Sequence, residues 1–95
     1  MGVKEAYQEK IEAQIREWDA EIEKLKARAQ KAKADVRVKA EEGMRELQAK
    51  RDNVSQKLQA LKNAGEEKLQ DLRSGMEGAL QDMSESLKNL TERFK

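Results

Sequence analysis

Apolar residues recur along the first part of the chain in alternating steps of four and three. The stripe begins at Tyr7, and from Ile11 to Val36 its steps run 4, 3, 4, 3, 4, 3, 4. Residues spaced in this way lie on one face of an α-helix, and the seven-residue period is typical of helices that wind around a partner. The pattern predicts a long helix that starts at about residue 4.

The second half of the chain follows a different period. Leu-Gln pairs begin at residues 47, 58, 69 and 80, each eleven residues after the last. Eleven residues in three turns correspond to about 3.67 residues per turn, slightly more than the 3.6 of a relaxed helix. We therefore expect the stripe of the second half to favour a straight or weakly right-handed packing.

The composition supports helix throughout. Charged residues make up 41% of the chain, proline is absent, and the charged side chains are mostly Glu, Lys and Arg, which are good helix formers. The expected fold class is all-α. Residues 1–95 are expected to form a single elongated coiled-coil unit of long helices, with heptads in the N-terminal part and eleven-residue repeats in the C-terminal part.

The stretch KNAGEE at residues 62–67 is the best candidate for an interruption. Gly65 is the residue type that often follows a helix end, and Glu66 and Glu67 suit the first turn of a new helix. One alternative is therefore a helical hairpin with a long helix over about 4–63, a break at 63–66 and a second amphipathic helix over about 66–94. In the other alternative, Gly65 is a small residue within an unbroken helix.

The apolar stripe is narrow, and a single helix does not cover it. An isolated helix leaves the free energy of burying the stripe unrealised, so we expect other copies of the chain to cover it. The expected interface of this homo-oligomer consists of Ile11, Ile15, Trp18, Ile22, Leu25, Val36, Leu47, Val54, Leu58, Leu61, Leu69, Leu72, Met76, Leu80, Met83, Leu87, Leu90 and Phe94.

Charge is segregated along the chain, although the net charge is only +1. Residues 1–23 contain three Lys/Arg and seven Asp/Glu, whereas residues 24–40 contain seven Lys/Arg and a single acidic residue, Asp35. This basic block is either a binding surface for nucleic acid or anionic lipid, or a solvated face that attracts the acidic segment of a neighbouring chain. We favour the neighbouring chain. We do not expect nucleic acid as a partner, because the block has no interleaved aromatic residues and no groove-reading motif.

The residue types argue against catalysis. Histidine and cysteine are absent, which removes the usual general base, the commonest metal ligand and the thiolate nucleophile. The carboxylates lie on a solvated face, where they stay ionised, and the five glycines are dispersed. We expect no catalytic, cofactor-binding or metal-binding residue. Without an apolar run typical of a signal peptide or a membrane span, the expected location is cytoplasmic.

The segment VKEAYQEKIEAQIREWDAEIEKLKARA, at residues 3–29, resembles the opening of short bacterial coiled-coil proteins of about this length. These proteins are largely uncharacterised, and some are labelled stress-response proteins. The alanine-rich charged middle, the stretch LKNAGEEKLQDL and the ending ERFK are similar as well. The resemblance implies a bacterial cytoplasmic protein induced under stress, and it implies no catalytic residue.

These observations favour a non-enzymatic, self-associating coiled-coil protein that acts as a structural scaffold, spacer or filament element. One alternative is an amphipathic-helix protein that binds anionic lipid surfaces, although the apolar face is narrow and the polar face carries both signs of charge. Another alternative is a desiccation-type protective protein that becomes helical when dried or bound.

Overall fold

The computed structural model describes residues 2–94, which form three long helices and their connections. Helix α1 spans Val3–Gln30, helix α2 spans Ala34–Asn63, and helix α3 spans Leu69–Glu92 after a single 3₁₀ turn at Glu66–Lys68. The molecule measures 51 × 20 × 19 Å. The all-α fold class expected from the sequence is confirmed.

The three helices pack side by side as a bundle in which each helix contacts the other two. Helix α2 runs antiparallel to both neighbours: its Arg51 meets Asp19 of α1, and its Gly43 lies against Leu90 of α3. Helices α1 and α3 run in the same direction, and Tyr7 of α1 donates a hydrogen bond to Glu77 of α3. The chain therefore covers its own apolar faces.

The core combines one apolar stripe from each helix. In α1 the buried residues follow the four-and-three steps of the sequence, and in α3 Met76, Met83 and Leu90 lie seven residues apart. The buried residues of α3 therefore do not recur every eleven residues. The effect of the eleven-residue period on supercoiling stays a prediction. The buried residues are Tyr7, Ile11, Ile15, Trp18, Ile22, Leu25, Ala29, Ala40, Met44, Leu47, Val54, Leu58, Leu61, Met76, Met83 and Leu90.

The expected long helix over about 4–63 is interrupted at residues 31–33. Lys31 has helical backbone angles and Lys33 is extended, and the N–H groups of Lys31 and Ala32 donate to the carbonyl oxygens of Arg28 and Ala29. The stretch QKAKA at residues 30–34 contains no glycine or proline that would have indicated a turn. The chain turns because packing α1 against α2 buries stripes that one long helix leaves exposed.

The break proposed near Gly65 is present between α2 and α3. Gly65 is extended, with φ of −75° and ψ of 164°, so it does not use the left-handed region that favours glycine. Glu66 and Glu67 lie in the first turn that follows. The Lys4 ammonium donates hydrogen bonds to the carbonyl oxygens of Lys62 and Ala64 at 3.3 and 2.6 Å, a favourable position for a cation at a helix C-terminus.

The residues expected at an interface between copies lie mostly inside the single chain. Trp18, one of the residues expected to contact another copy, is 2% exposed within the bundle. Val36 differs from the other expected interface residues, because it is exposed. Five more are partly buried against the core: Leu69, Leu72, Leu80, Leu87 and Phe94.

Replacing Trp18 with alanine is expected to lower the free energy of unfolding by about 3 to 5 kcal/mol, because the indole is buried among all three helices' core residues. Urea denaturation followed by circular dichroism measures this change. Val38→Ala, at an exposed position of α2, is the control and is expected to change the same quantity by less than about 0.5 kcal/mol. An unchanged midpoint for Trp18→Ala would contradict the burial.

Three helical glycines are expected to respond differently to alanine. A Cβ atom at Gly43 would lie 2.8 Å from Leu90 Cδ1, whereas a Cβ at Gly75 or Gly78 meets nothing within 4 Å. Gly75→Ala and Gly78→Ala should each raise the free energy of unfolding by about 0.5 to 1 kcal/mol. Gly43→Ala should lower it by about 1 kcal/mol, because buried Leu90 has to move. Equal stabilisation by all three in urea denaturation would argue against close packing of α2 on α3.

Candidate functional site

The turn between α1 and α2 brings the two halves of the basic block together at one end of the bundle. The last turns of α1 lie beside the N-terminal part of α2, so residues that are distant along the chain share one surface. We call residues 24–46 the basic end; it contains eight Lys/Arg and four Asp/Glu. The seven cations of the original block are all exposed: Lys24, Lys26, Arg28, Lys31, Lys33, Arg37 and Lys39.

Most of these cations are not neutralised by an ion pair within residues 2–94. Lys24 pairs with Glu21 and Lys26 pairs with Glu23, each at 3.3 Å and each in a solvated position. The remaining five cations of the block take part in none of the ion pairs of the described chain, namely Arg28, Lys31, Lys33, Arg37 and Lys39. The basic end therefore keeps a net positive charge.

Two acidic residues of α1 pair with cations outside the basic block. Asp19 accepts two hydrogen bonds from the Arg51 guanidinium, at 2.9 and 3.1 Å, and Glu12 pairs with Lys62 at 2.9 Å. The hydrogen bonds with Asp19 raise the pKa of Arg51 above its ordinary value. Asp19 and Glu12 pair with the second half of α2 in the same chain. From the sequence we favour attraction of the acidic segment to the basic block of a neighbouring chain, and that pairing between chains stays a prediction.

Apolar surface accompanies the charge at the basic end. Val36 and Val38 are 41% and 55% exposed, and they alternate with cations in the stretch VRVK. A groove of about 490 Å³ lies nearby between α1 and α2, with apolar atoms of Ala29 and Met44 among its walls. Its polar lining residues are Lys26, Gln30, Arg37, Glu41, Arg45 and Gln48.

A second polar cluster joins α1 to α3 near the opposite end. The Tyr7 hydroxyl donates to Glu77 Oε1 at 2.8 Å, and the Arg73 guanidinium lies 4.6 Å from the centre of the tyrosine ring. Burial raises the pKa of Tyr7 to about 12, Glu77 adds to the rise, and Arg73 opposes it. Perturbed pKa values also mark functional sites, but this phenol stays protonated at neutral pH and holds two helices together.

Lys50 forms the corresponding link between α2 and α3. Its ammonium pairs with Asp82 and with Glu46, both at 3.1 Å, and also donates to the Ser86 hydroxyl. Hydrogen bonds to Asp82 and Glu46 raise the pKa of Lys50. The arrangement keeps Lys50 charged, so it acts as a structural contact between helices.

Neither a metal centre nor a membrane span is found in the part of the chain that the structure describes. In residues 2–94, no three or more His, Cys, Asp or Glu side chains are grouped so that they could hold a metal ion. Over the same residues, none of the helices has an apolar stretch sufficient to traverse a bilayer.

Comparison of the chain with protein-family models, with curated proteins and with solved structures found no match. The resemblance of residues 3–29 to short bacterial coiled-coil proteins therefore stays a prediction. Sequence reasoning located the basic block but missed the turn that folds it into one end of the molecule. It also missed exposed Val38, although the alternation of valine with cations in VRVK was a visible signal.

The Tyr7 environment predicts a loss of stability at high pH. In the unfolded chain the phenol loses its proton near pH 10, whereas in the bundle it keeps the proton up to about pH 12. The contribution of Tyr7 is therefore fully present below pH 10 and lost as the pH rises to about 12, and it amounts to about 2 to 3 kcal/mol. Urea denaturation across this range measures the loss.

Tyr7→Phe is the control for this pH series, because phenylalanine keeps the ring and removes the titrating hydroxyl. All other ionisable residues are the same in the two proteins, so the difference between the two unfolding free energies isolates Tyr7. That difference should shift in favour of Tyr7→Phe as the pH passes from 10 to 12. Parallel pH profiles would show that the Tyr7 hydroxyl is not held as described.

Proposed function

We propose that the protein is a non-enzymatic helical binding module whose basic end docks on an anionic lipid surface. The observation that carries the proposal is the concentration of five exposed cations without ion pairs beside two exposed valines, all at one end of an elongated bundle. An excess of positive charge at a single end gives the molecule a defined orientation on a surface of opposite charge.

Anionic lipid fits the basic end better than nucleic acid does. Each Lys or Arg near an anionic bilayer contributes about 1 kcal/mol to binding, so five cations suffice for reversible attachment. Val36 and Val38 gain burial in the interfacial layer of a bilayer, whereas a phosphate backbone offers them little apolar contact. The basic end also contains no aromatic side chain on which a base could stack.

The proposed attachment uses the end of an intact bundle and not a helix lying flat on the membrane. The apolar faces of all three helices are occupied in the core, so a flat helix would require the bundle to open. Charge and two small aliphatic side chains then give weak, salt-sensitive binding. The cytoplasmic leaflet is the anionic one in cells, which agrees with the cytoplasmic location we propose.

A scaffold, spacer or filament role through self-association also remains a proposal. The stripe that we expected to require another copy is covered by helices of the same chain. Closed bundles therefore offer each other little apolar surface, and assembly has to proceed through a different contact or through an opened form of the chain.

Vesicle binding tests the proposed function. Lys31→Gln, Lys33→Gln and Arg37→Gln in one protein remove three cations from the basic end without breaking an ion pair of the described chain. The affinity for vesicles that contain phosphatidylglycerol should fall by about a hundredfold, since three cations contribute about 3 kcal/mol. Sedimentation with vesicles measures the affinity, and vesicles of phosphatidylcholine alone should bind neither protein.

A matched control removes the same charge from the rest of the bundle. Lys10, Arg16 and Lys68 are exposed and belong to none of the ion pairs of the described chain. Their triple replacement by glutamine should leave most of the affinity intact. Equal losses in both triple variants would contradict docking through the basic end, and tighter binding to an RNA duplex than to anionic vesicles would contradict the lipid assignment.

A further inference from the structure

The turn between α1 and α2 is built from residues that prefer helix. The stretch QKAKA contains only Gln, Lys and Ala, which are among the best helix formers, and none of the residue types that favour turns. Lys33 precedes α2 without a side-chain hydrogen bond to cap it. The first three N–H groups of α2, at residues 34–36, therefore lack the intrahelical acceptors that a continuous helix would supply from residues 30–32.

The apolar stripe also continues across this turn in helical register. After Leu25 it passes through Ala29, Ala32, Val36 and Ala40 in steps of 4, 3, 4 and 4. All of these residues would lie on one face if α1 and α2 were one helix. In the closed bundle, by contrast, Val36 is exposed to solvent. The sequence of the turn is thus compatible with a second conformation.

We infer that two copies of this chain exchange their α1 helices. The 31–33 turn opens, α1 and α2 join into one continuous helix, and α1 of each copy packs against α2 and α3 of the other copy. Such an exchange recreates between copies the contacts of the closed bundle, including the Asp19–Arg51 and Glu12–Lys62 pairs. The partner is a second copy because the apolar stripes and ion pairs that α1 meets in the closed bundle belong to α2 and α3 of this same chain.

The exchange brings Val36 of the two copies together. Residues 19 and 51 lie opposite each other, as do residues 12 and 62. Along a continuous helix, the residues midway between the members of these pairs are 35 and 37. The two-fold axis of the exchanged pair therefore passes close to Val36, which gains a covering that it lacks in the closed bundle. This inference goes beyond attachment to lipid and does not depend on it.

The same geometry sets the response to salt. Lys33 and Arg37 of both copies approach the axis together with Asp35, whose single negative charge offsets only part of the repulsion between the cations, and the remaining repulsion opposes the exchange. The distance over which exposed charges interact falls from about 10 Å at 0.1 M salt to about 3 Å at 1 M. The dimer should therefore become more abundant as the ionic strength rises, whereas association held by pairing of the acidic segment with the basic block would weaken.

An intrachain distance distinguishes exchange from simple association. The chain contains no cysteine, so Glu17→Cys and Asn53→Cys introduce the only two sites for spin labels. These positions flank the Asp19–Arg51 pair and are close in the closed bundle, but they are about 54 Å apart along a continuous helix with a rise of 1.5 Å per residue. Labelled chains are refolded with an excess of unlabelled chains, and the dimer is isolated by gel filtration.

The isolated dimer is expected to show the long distance by electron spin resonance, and the monomer the short one. A dimer with only the short distance overturns the inference, as does a protein that stays monomeric at all concentrations and salt levels after refolding. Neither of these outcomes bears on whether the cations of the basic end bind lipid. The vesicle experiment therefore tests the proposed function separately from the exchange.

Ala34→Pro tests the turn directly. Ala34 is the first residue of α2, where proline is favoured, and Lys33, with φ of −64° and ψ of 156°, already has the conformation that precedes proline. The variant should fold as a monomer and keep its affinity for anionic vesicles. Inside a continuous helix the same proline removes a hydrogen bond and clashes with the preceding turn, so the dimer association constant should fall by at least about a hundredfold.

Ala34→Ser is the matched control, because it changes the same position without restricting the backbone. It should dimerise within a few-fold of the parent protein. Lys31→Gln with Lys33→Gln should raise the dimer fraction at low salt, since glutamine keeps the helix preference and removes the repulsion. Dimerisation of Ala34→Pro at the parental level would overturn the exchange.

Discussion

Mutual covering of three narrow apolar stripes is the constraint on which the rest of this structure depends. Helix α1 buries a residue at every third or fourth position and α3 only at every seventh, so no helix has a broad apolar face of its own. Trp18, Leu47 and Met83 come from three different helices and are all nearly inaccessible to solvent. Removing any one helix would expose the stripes of the other two, which is why the helices are expected to be stable together and weak alone.

Polar contacts select which residues meet, while apolar burial supplies most of the stabilisation. Arg51 lies seven residues after Met44 and seven before Leu58, at a position on the edge of the core, and it binds the Asp19 carboxylate with two hydrogen bonds. A partly buried ion pair contributes little net stability but penalises any arrangement that leaves one partner alone. Asp19 and Arg51 therefore fix the register of α1 on α2.

The closure of the bundle also separates its charges. Acidic residues of α1 pair with Arg51 and Lys62 in the second half of α2, so the first half of α2 keeps its cations without partners. The turn then places those cations beside the last turn of α1. The basic block of the sequence thus becomes one positively charged end of an elongated molecule, and this is the end that we propose contacts an anionic surface.

The sequence by itself indicated helix along most of the chain and stripe residues such as Trp18 and Leu58, and it offered an interruption near Gly65 as one of two alternatives, because helix preference and periodicity act over a few residues. The tertiary structure alone decided that the chain turns at 31–33, that the stripe is covered within one chain, and that Val36 is left outside. These features follow from burial between distant segments. The stripe is removed from water equally whether helices of its own chain or of another copy cover it. The hydrophobic pattern therefore did not reveal which of the two covers the stripe.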